Sequence, residues 1–284
     1  MSKSAIEPLV RHALQVHDDV AEMLADDVLL GDDVVHGIRV ASKEMRALWQ
    51  VVKPLLDDNR AKQSINELRD AAATLSEARD RYVILQTLER LCQKAPSKDA
   101  RRALSVTLDK LRTQEQEVGS PAATTVQLHD CWQQDKHRWQ SLDISVDSNT
   151  LLAEGYGRLY RKAHRLTRAA LRSDDIQHWH ALRKWAKYLS LTLPVYAQST
   201  KLEQLTDDIS RLGKKLGRLH DLDRLLLAVN ELDWTDGDPE RGAYVSHLVR
   251  REIGNVVSQC SKLAQALFND EPRQFVVMVK RLRR

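Results

Sequence analysis

The sequence is poor in the residues that build turn-rich or cross-linked folds. Among 284 residues there are 10 glycines, 7 prolines and 2 phenylalanines, while Leu, Ala, Arg, Asp and Gln are plentiful. That balance favours helices, and no alternating apolar stretch is long enough to read as a strand. Cys92, Cys131 and Cys260 lie far apart. Their spacing excludes a disulfide framework and a paired metal site, and fits a reducing cytoplasm. No apolar run approaches bilayer length, and the start MSKSAIEPLV lacks a long apolar core, so a soluble protein with no membrane partner is expected. The glycine pattern of a nucleotide loop is missing too, because Gly213-Lys214-Lys215-Leu216-Gly217 is not a P-loop.

Charge is abundant but balanced. There are 44 Lys and Arg against 40 Asp and Glu, a net charge of +4 and a pI near 8.9. Placement therefore matters more than total. The stretch Trp179–Leu193, WHALRKWAKYLSLTL, shows one placement. At 100° per residue, Trp179, Leu182, Trp185, Ala186, Leu189 and Leu193 share an apolar arc. His180, Arg183, Lys184 and Lys187 fall opposite, at i, i+3, i+4 and i+7. Such a row of cations repels itself, so it needs water or a multiply charged anion. Val35–Val52 repeats the device. There Ile38, Met45, Leu48, Trp49 and Val52 are apolar, and His36, Arg39, Lys43 and Arg46 lie opposite. His36 aligns with His180, Arg39 with Arg183 and Lys43 with Lys187.

The rest of the chain reads as helices. One spans Ile6 to about Ala25, with His12 and His17 read as scattered surface histidines. Asp32 or Asp33 is expected to cap the first His helix and Pro54 to end it. Helices follow over Asn59–Lys94 with a break near Ser76, from Pro96-Ser97 to about Val118, and over Pro121–Gln140, where His129 and His137 have no usual ligand spacing. Leu142–Asn149 is the best boundary between halves. In Thr150–Arg172, Arg158, Arg161, Arg165, Arg168 and Arg172 form one narrow stripe bordered by Lys162. Pro194 is expected to close the second His helix, after an Asp174 or Asp175 cap. Lys201–Asn230 carries a leucine-rich seam with Lys214, Lys215 and Arg218 beside it. A long helix from about Glu240 to Phe268 and a short one opened by Pro272 complete the chain.

The paired His-x-x-Arg-x-x-x-Lys helices resemble those of the CHAD domain, the conserved histidine α-helical domain. In that family each half carries a His-x-x-Arg helix and then an Arg-Asp-x-Asp-like segment. Here the segments are Ala78-Arg79-Asp80-Arg81-Tyr82-Val83 and Leu219-His220-Asp221-Leu222-Asp223-Arg224-Leu225. Tyr82 replaces the second Asp of the first, His220 replaces the Arg of the second, and Ser190 stands where the first half has Arg46. The resemblance covers nearly the whole chain. It implies a single all-α domain over about 5–284, made of two pseudo-repeated antiparallel helical bundles (about 5–140 and 148–284) around a basic central groove. It also implies binding of inorganic polyphosphate in that groove.

The residues themselves point to phosphate. Arg offers a planar fork of donors, Lys a mobile point charge and His a hydrogen bond. Rows of donors suit a long polyanion better than one nucleotide. Carried over from the family, the leading positions are His36, Arg39, Lys43, His180, Arg183 and Lys187. Arg46, Lys184, Arg161, Arg165, Lys214 and Arg218 follow, with Arg158 and Lys162 from the arginine stripe. Asp80, Asp221 and Asp223 read as structural carboxylates, and Trp49, Trp179 and Trp185 as core. His220 reads equally as a ligand contact or a structural group.

No catalytic residue, metal or cofactor is expected. No Asp/Glu cluster at helical spacing sits beside the cationic rows to hold Mg²⁺. CHAD domains are often joined to a CYTH triphosphatase domain, and its Glu-x-Glu-x-Lys segment is not in this sequence. The family link implies a place at polyphosphate granules or beside polyphosphate-metabolising enzymes. The alternatives are an RNA-binding helical module, a phosphohydrolase or its accessory protein, and an adaptor for an acidic protein partner. RNA would want aromatics near the cations for stacking.

Overall fold

The computed structural model describes residues 4–25, 31–75, 77–113, 124–196, 199–234 and 239–282, with the backbone alone at 32, 77–80 and 124–125. Every regular element among the described residues is helical, with no strand. The elements are α1 (Glu7–Ala25), α2 (Asp32–Val52), a 3₁₀ turn (Lys53–Leu55), α3 (Arg60–Thr74), α4 (Glu77–Gln93), α5 (Lys98–Thr113) and α6 (Thr124–Gln140). A turn α7 (Ser148–Thr150) leads through a π-helical stretch (Leu151–Tyr156) into α8 (Gly157–Ala170). Then come α9 (Gln177–Tyr196), α10 (Thr200–Glu231), α11 (Pro239–Phe268) and α12 (Pro272–Leu282).

Most expected boundaries fall within a few residues. Residue 76 and residues 114–118 lie outside those described. Two end signals act differently. Gly31 rather than an aspartate stands at the α2 N-cap, with no side-chain cap. Pro194 lies inside α9, which runs on to Tyr196. So near the end of a helix the missing N–H removes one bond, from Ser190, without stopping the chain.

The chain divides into two compact units, and each draws on both halves of the sequence. The first comprises residues 1–75, 121–213 and 263–284, the second 76–120 and 214–262. In the first unit, α2 packs on α1, α3 and α9, while α8 packs on α9 and α12. The two His helices, one from each half of the sequence, are therefore neighbours within one unit. Its core includes Trp49 and Trp139, with ring centroids 4.3 Å apart. Asp135 is fully buried beside them. It accepts 2.9 Å from Trp49 Nε1 and shares a 3.1 Å hydrogen bond with His17 Nε2. This pairing, which ties α1, α2 and α6 together, lets a carboxylate stay in an apolar interior. His17 is thus a core residue, contrary to its surface reading; the partner is 118 residues away. In the second unit, α4 packs on α5.

Two residues set how α8 enters the first unit. Gly155 lies so close to α2 that a Cβ there would sit 2.8 Å from the Val51 carbonyl oxygen. Pro54 has no N–H to donate to the carbonyl four residues back, that of Gln50. Arg158 of α8 donates to that oxygen at 2.6 Å and to the Gln50 side-chain oxygen at 2.7 Å.

Candidate anion-binding face

The cations of α2 and α9 converge. Lys43 is half-buried, and its ammonium is pushed down to about 8. Burial is the largest cause, followed by Arg39, Arg183, Arg46 and Lys187. Two of those four lie on its own helix and two on α9. Burial dominates that shift, and the four cations add to it across two packed helices. Arg46 is held down by burial and by Arg69 of α3, against an opposing pull from Tyr188. Lys184 reaches the surface with protein along its stem. That desolvation, with Arg46, Arg69 and Lys53, lowers it. Lys53 is lowered by burial, Arg158 and Lys62. Among the described residues, every charged neighbour that shifts Lys43, Lys53 or Lys184 is a cation.

The nearest acid in sequence is turned away. Glu44 follows Lys43 but bonds His12 of α1 at 2.7 Å, raising that imidazole chiefly through the hydrogen bond. The guanidiniums are meanwhile fixed by backbone. Arg39 Nη1 donates to Leu75 O at 3.1 Å and Ala72 O at 3.4 Å, where the last carbonyls of α3 favour positive charge. Arg46 Nε donates to Ser42 O at 3.2 Å. Ser42 in turn donates to Leu68 O at 2.7 Å, clamping α2 to α3. These bonds tie both guanidiniums to the backbone of α2 and α3.

Arg158 departs from the expected stripe. It is half-buried on Gln50, and burial, then Arg161, lowers it. Its Nε is buried with no hydrogen-bond acceptor among the described residues. Its guanidinium carbon lies 5.8 Å from the Trp185 ring centroid, and Lys184 Nζ lies 5.6 Å from the same ring. Trp185 is therefore only half-buried, among cations, and not a core residue like Trp49 and Trp179. Tyr188 meets it edge-on at 5.7 Å.

Other predicted positions spread out. His36 is exposed near the start of α2, and His180 is half-buried on α9. Arg161 and Arg165 are exposed on α8, with Lys162 half-buried between them. Lys214 and Arg218 belong to the second unit, where they line a cleft of about 290 Å³ with Arg90, Lys94 and Asp221. Arg218 is bonded to Glu252 there. His220 Nδ1 lies 3.9 Å from Asp221. The side chain of Asp80 lies outside the described residues. Lys53, Lys62, Arg69, Trp185 and Tyr188 were missed as members of this face. Lys62 and Arg69, seven apart on α3, carried a helical signal, but the paired acids around them blurred it.

No group of three or more metal-ligating side chains occurs among the described residues. No helix among them is long and apolar enough to cross a membrane. Burial pushes the Cys131 and Cys260 thiols up to about 12, so they carry no thiolate chemistry at neutral pH.

The sequence model of the CHAD domain matches residues 12–229, and the chain belongs to that family. No curated protein and no solved structure matches it.

Proposed function

We propose that the protein binds inorganic polyphosphate on the cationic face of α2 and α9 and does not turn it over. The observation that carries this reading is Lys43, held half-buried among Arg39, Arg46, Arg183 and Lys187. Such a cluster costs folding energy unless an anion relieves it. A chain of phosphates supplies one negative charge per unit at close spacing, which suits donors repeated along two packed helices. Guanidiniums already anchored by α3 and Gln50 lose little freedom on binding. Membership of the CHAD family supports the same ligand. A cytoplasmic location, at polyphosphate granules or beside polyphosphate-metabolising enzymes, belongs to this proposal.

The test is titration with polyphosphate at several salt concentrations, with an orthophosphate assay in Mg²⁺ alongside. Tight binding that weakens steeply with salt, and no phosphate release, is expected, because counterion release drives such association. Binding insensitive to salt would overturn the mechanism, and phosphate release lost in Arg183→Glu would replace it with hydrolysis. One observation favours a second ligand: Trp185 lies among cations, as a stacking site for single-stranded RNA would. Displacement of polyphosphate by RNA at equal phosphate concentration would favour that reading.

A further inference from the structure

The exposed side of α8 carries cations that no acid answers. From Gly155 to Ser173 the sequence has six Lys and Arg and no Asp or Glu. Arg161, Arg165, Arg168 and Arg172 are all exposed, at successive steps of four, three and four. They therefore run in one narrow row along the helix and the turn that ends it. Exposed arginines elsewhere in the chain meet carboxylates. Arg11 meets Glu7 at 2.9 Å, Arg112 meets Glu89 at 2.6 Å and Arg211 meets Asp208 at 3.2 Å. None of the four in the α8 row has a carboxylate partner among the described residues. Asp175, just beyond the row, instead accepts from the Gln177 N–H at the start of α9, at 2.9 Å. Like charges three and four apart weaken a helix. The macrodipole offsets this for Arg168 and Arg172 at the C-terminal end, but not for Arg161 and Arg165 further in.

The row joins the face of α2 and α9 at Arg158. That residue bonds Gln50 of α2 and places its guanidinium carbon 5.8 Å from the Trp185 ring centroid on α9. Lys184 Nζ lies 5.6 Å from the same ring. Arg161, one turn on, bears on Arg158 electrostatically. From Arg158 to Arg168 the helix rises about 15 Å, at ~1.5 Å per residue.

We propose that α8 is a second cationic track, entered from the first at Arg158, and that the ligand is long-chain polyphosphate whose continuation lies along Arg161, Arg165, Arg168 and Arg172. The inference rests on the polyphosphate reading of the α2 and α9 face. Each guanidinium offers a planar fork to two oxygens of one phosphate and stays charged at every working pH. An acidic helix would need its carboxylates at the same spacing; a phosphate chain carries charge at every unit and needs no register. A triphosphate reaches about one helical turn, ~5.4 Å, and is used up on the first face. A long chain covers both. The α8 row thus discriminates by chain length, and it adds counterion release without touching the cluster at Lys43.

The test compares wild type with a combined Arg165→Gln, Arg168→Gln, Arg172→Gln variant. Both are titrated with tripolyphosphate and with long-chain polyphosphate at several salt concentrations. Long-chain binding by the variant should weaken at least about tenfold at about 0.1 M salt. The slope of log affinity against log salt should fall by about 2, from three phosphate contacts at ~0.7 each as for single strands. Tripolyphosphate affinity should change by less than about twofold. The melting temperature should stay within about 2 °C of wild type, as for exposed substitutions. The corresponding triple lysine variant keeps the charge and should keep the slope. An unchanged long-chain affinity and slope in the glutamine variant overturns the second track and leaves the polyphosphate reading standing. Equal losses for both ligands make α8 part of the first site and overturn the chain-length inference. Binding of neither ligand by wild type overturns both readings.

Discussion

The face of α2 and α9 and the cleft of the second unit are both lined by Arg and Lys, yet their electrostatics differ. In the second unit, Arg218 is bonded to Glu252, Arg112 to Glu89 at 2.6 Å, and Lys215 to Gln259. Arg218 is the cleft residue met by a carboxylate there, as on an ordinary solvated surface. On α2 and α9, burial and like charge hold Lys43 and Lys184 down, and no acid among the described residues offsets them. A count of basic residues would not separate the two regions; what surrounds Lys43 and what surrounds Arg218 does. At Lys43 an anion would relieve burial among like charges, whereas Arg218 already has Glu252.

Charge reversal should break that contrast most strongly. Arg39→Glu with Arg183→Glu should weaken polyphosphate binding by about 100-fold or more, since each reversal adds repulsion where attraction was. Circular dichroism should show unchanged helix content. Arg218→Glu should change affinity by about threefold or less, because that guanidinium already has Glu252. Comparable losses in both would erase the distinction.

The next effect is pH. A bound polyanion favours the ammonium form of Lys43, so binding takes up a proton once the free face has begun to lose it. Affinity should be level below about pH 7 and fall as pH rises through about 8 toward 10.5, the ordinary lysine value. About a tenfold loss is expected by about pH 9, measured by calorimetry in buffers of different ionisation enthalpy. Lys43→Arg should flatten the profile while retaining binding.

Stability should move in opposite directions in the two regions. Lys43→Met removes a half-buried charge from among like charges, and should raise the melting temperature by a few degrees, or about 1 kcal/mol, while weakening binding. Arg218→Met strands Glu252 and should lower it by a degree or two. Thermal melts without ligand decide this, and a destabilised Lys43→Met would contradict the account of the face.

The smallest effect concerns the diverted acid. His12 titrates above 6.5 when folded, through its hydrogen bond to Glu44. Its stabilisation is fully present below pH 6.5 and is lost as pH rises through the folded value. His12→Gln should therefore lower the melting point by about a degree at pH 5.5 and by less at pH 8, with the effect kept small by partial exposure. A shift that does not depend on pH would show that the charge on His12 does not contribute to stability.

Local pattern made much of this legible. The helices could be placed from apolar spacing, and the paired His-x-x-Arg rows marked α2 and α9 before any packing was known. What pattern could not supply were distant partners. His17 looked like a surface residue because Asp135 is 118 positions away. Arg158 looked like the first member of an arginine stripe, until the proline-freed carbonyl of Gln50 claimed it. Trp185 sat on the apolar arc by angle, but Arg158 and Lys184 border its ring.

The sequence by itself determined a helical chain with two like-charged rows, because periodicity and charge spacing along a helix are local properties. It also supplied the motif that places the chain in the CHAD family. Only tertiary structure decided that α2 and α9 lie against each other, that Glu44 is spent on His12, and that Arg218 meets Glu252. Those pairings join segments far apart in the chain, and electrostatic energy depends on distance in space rather than separation in sequence.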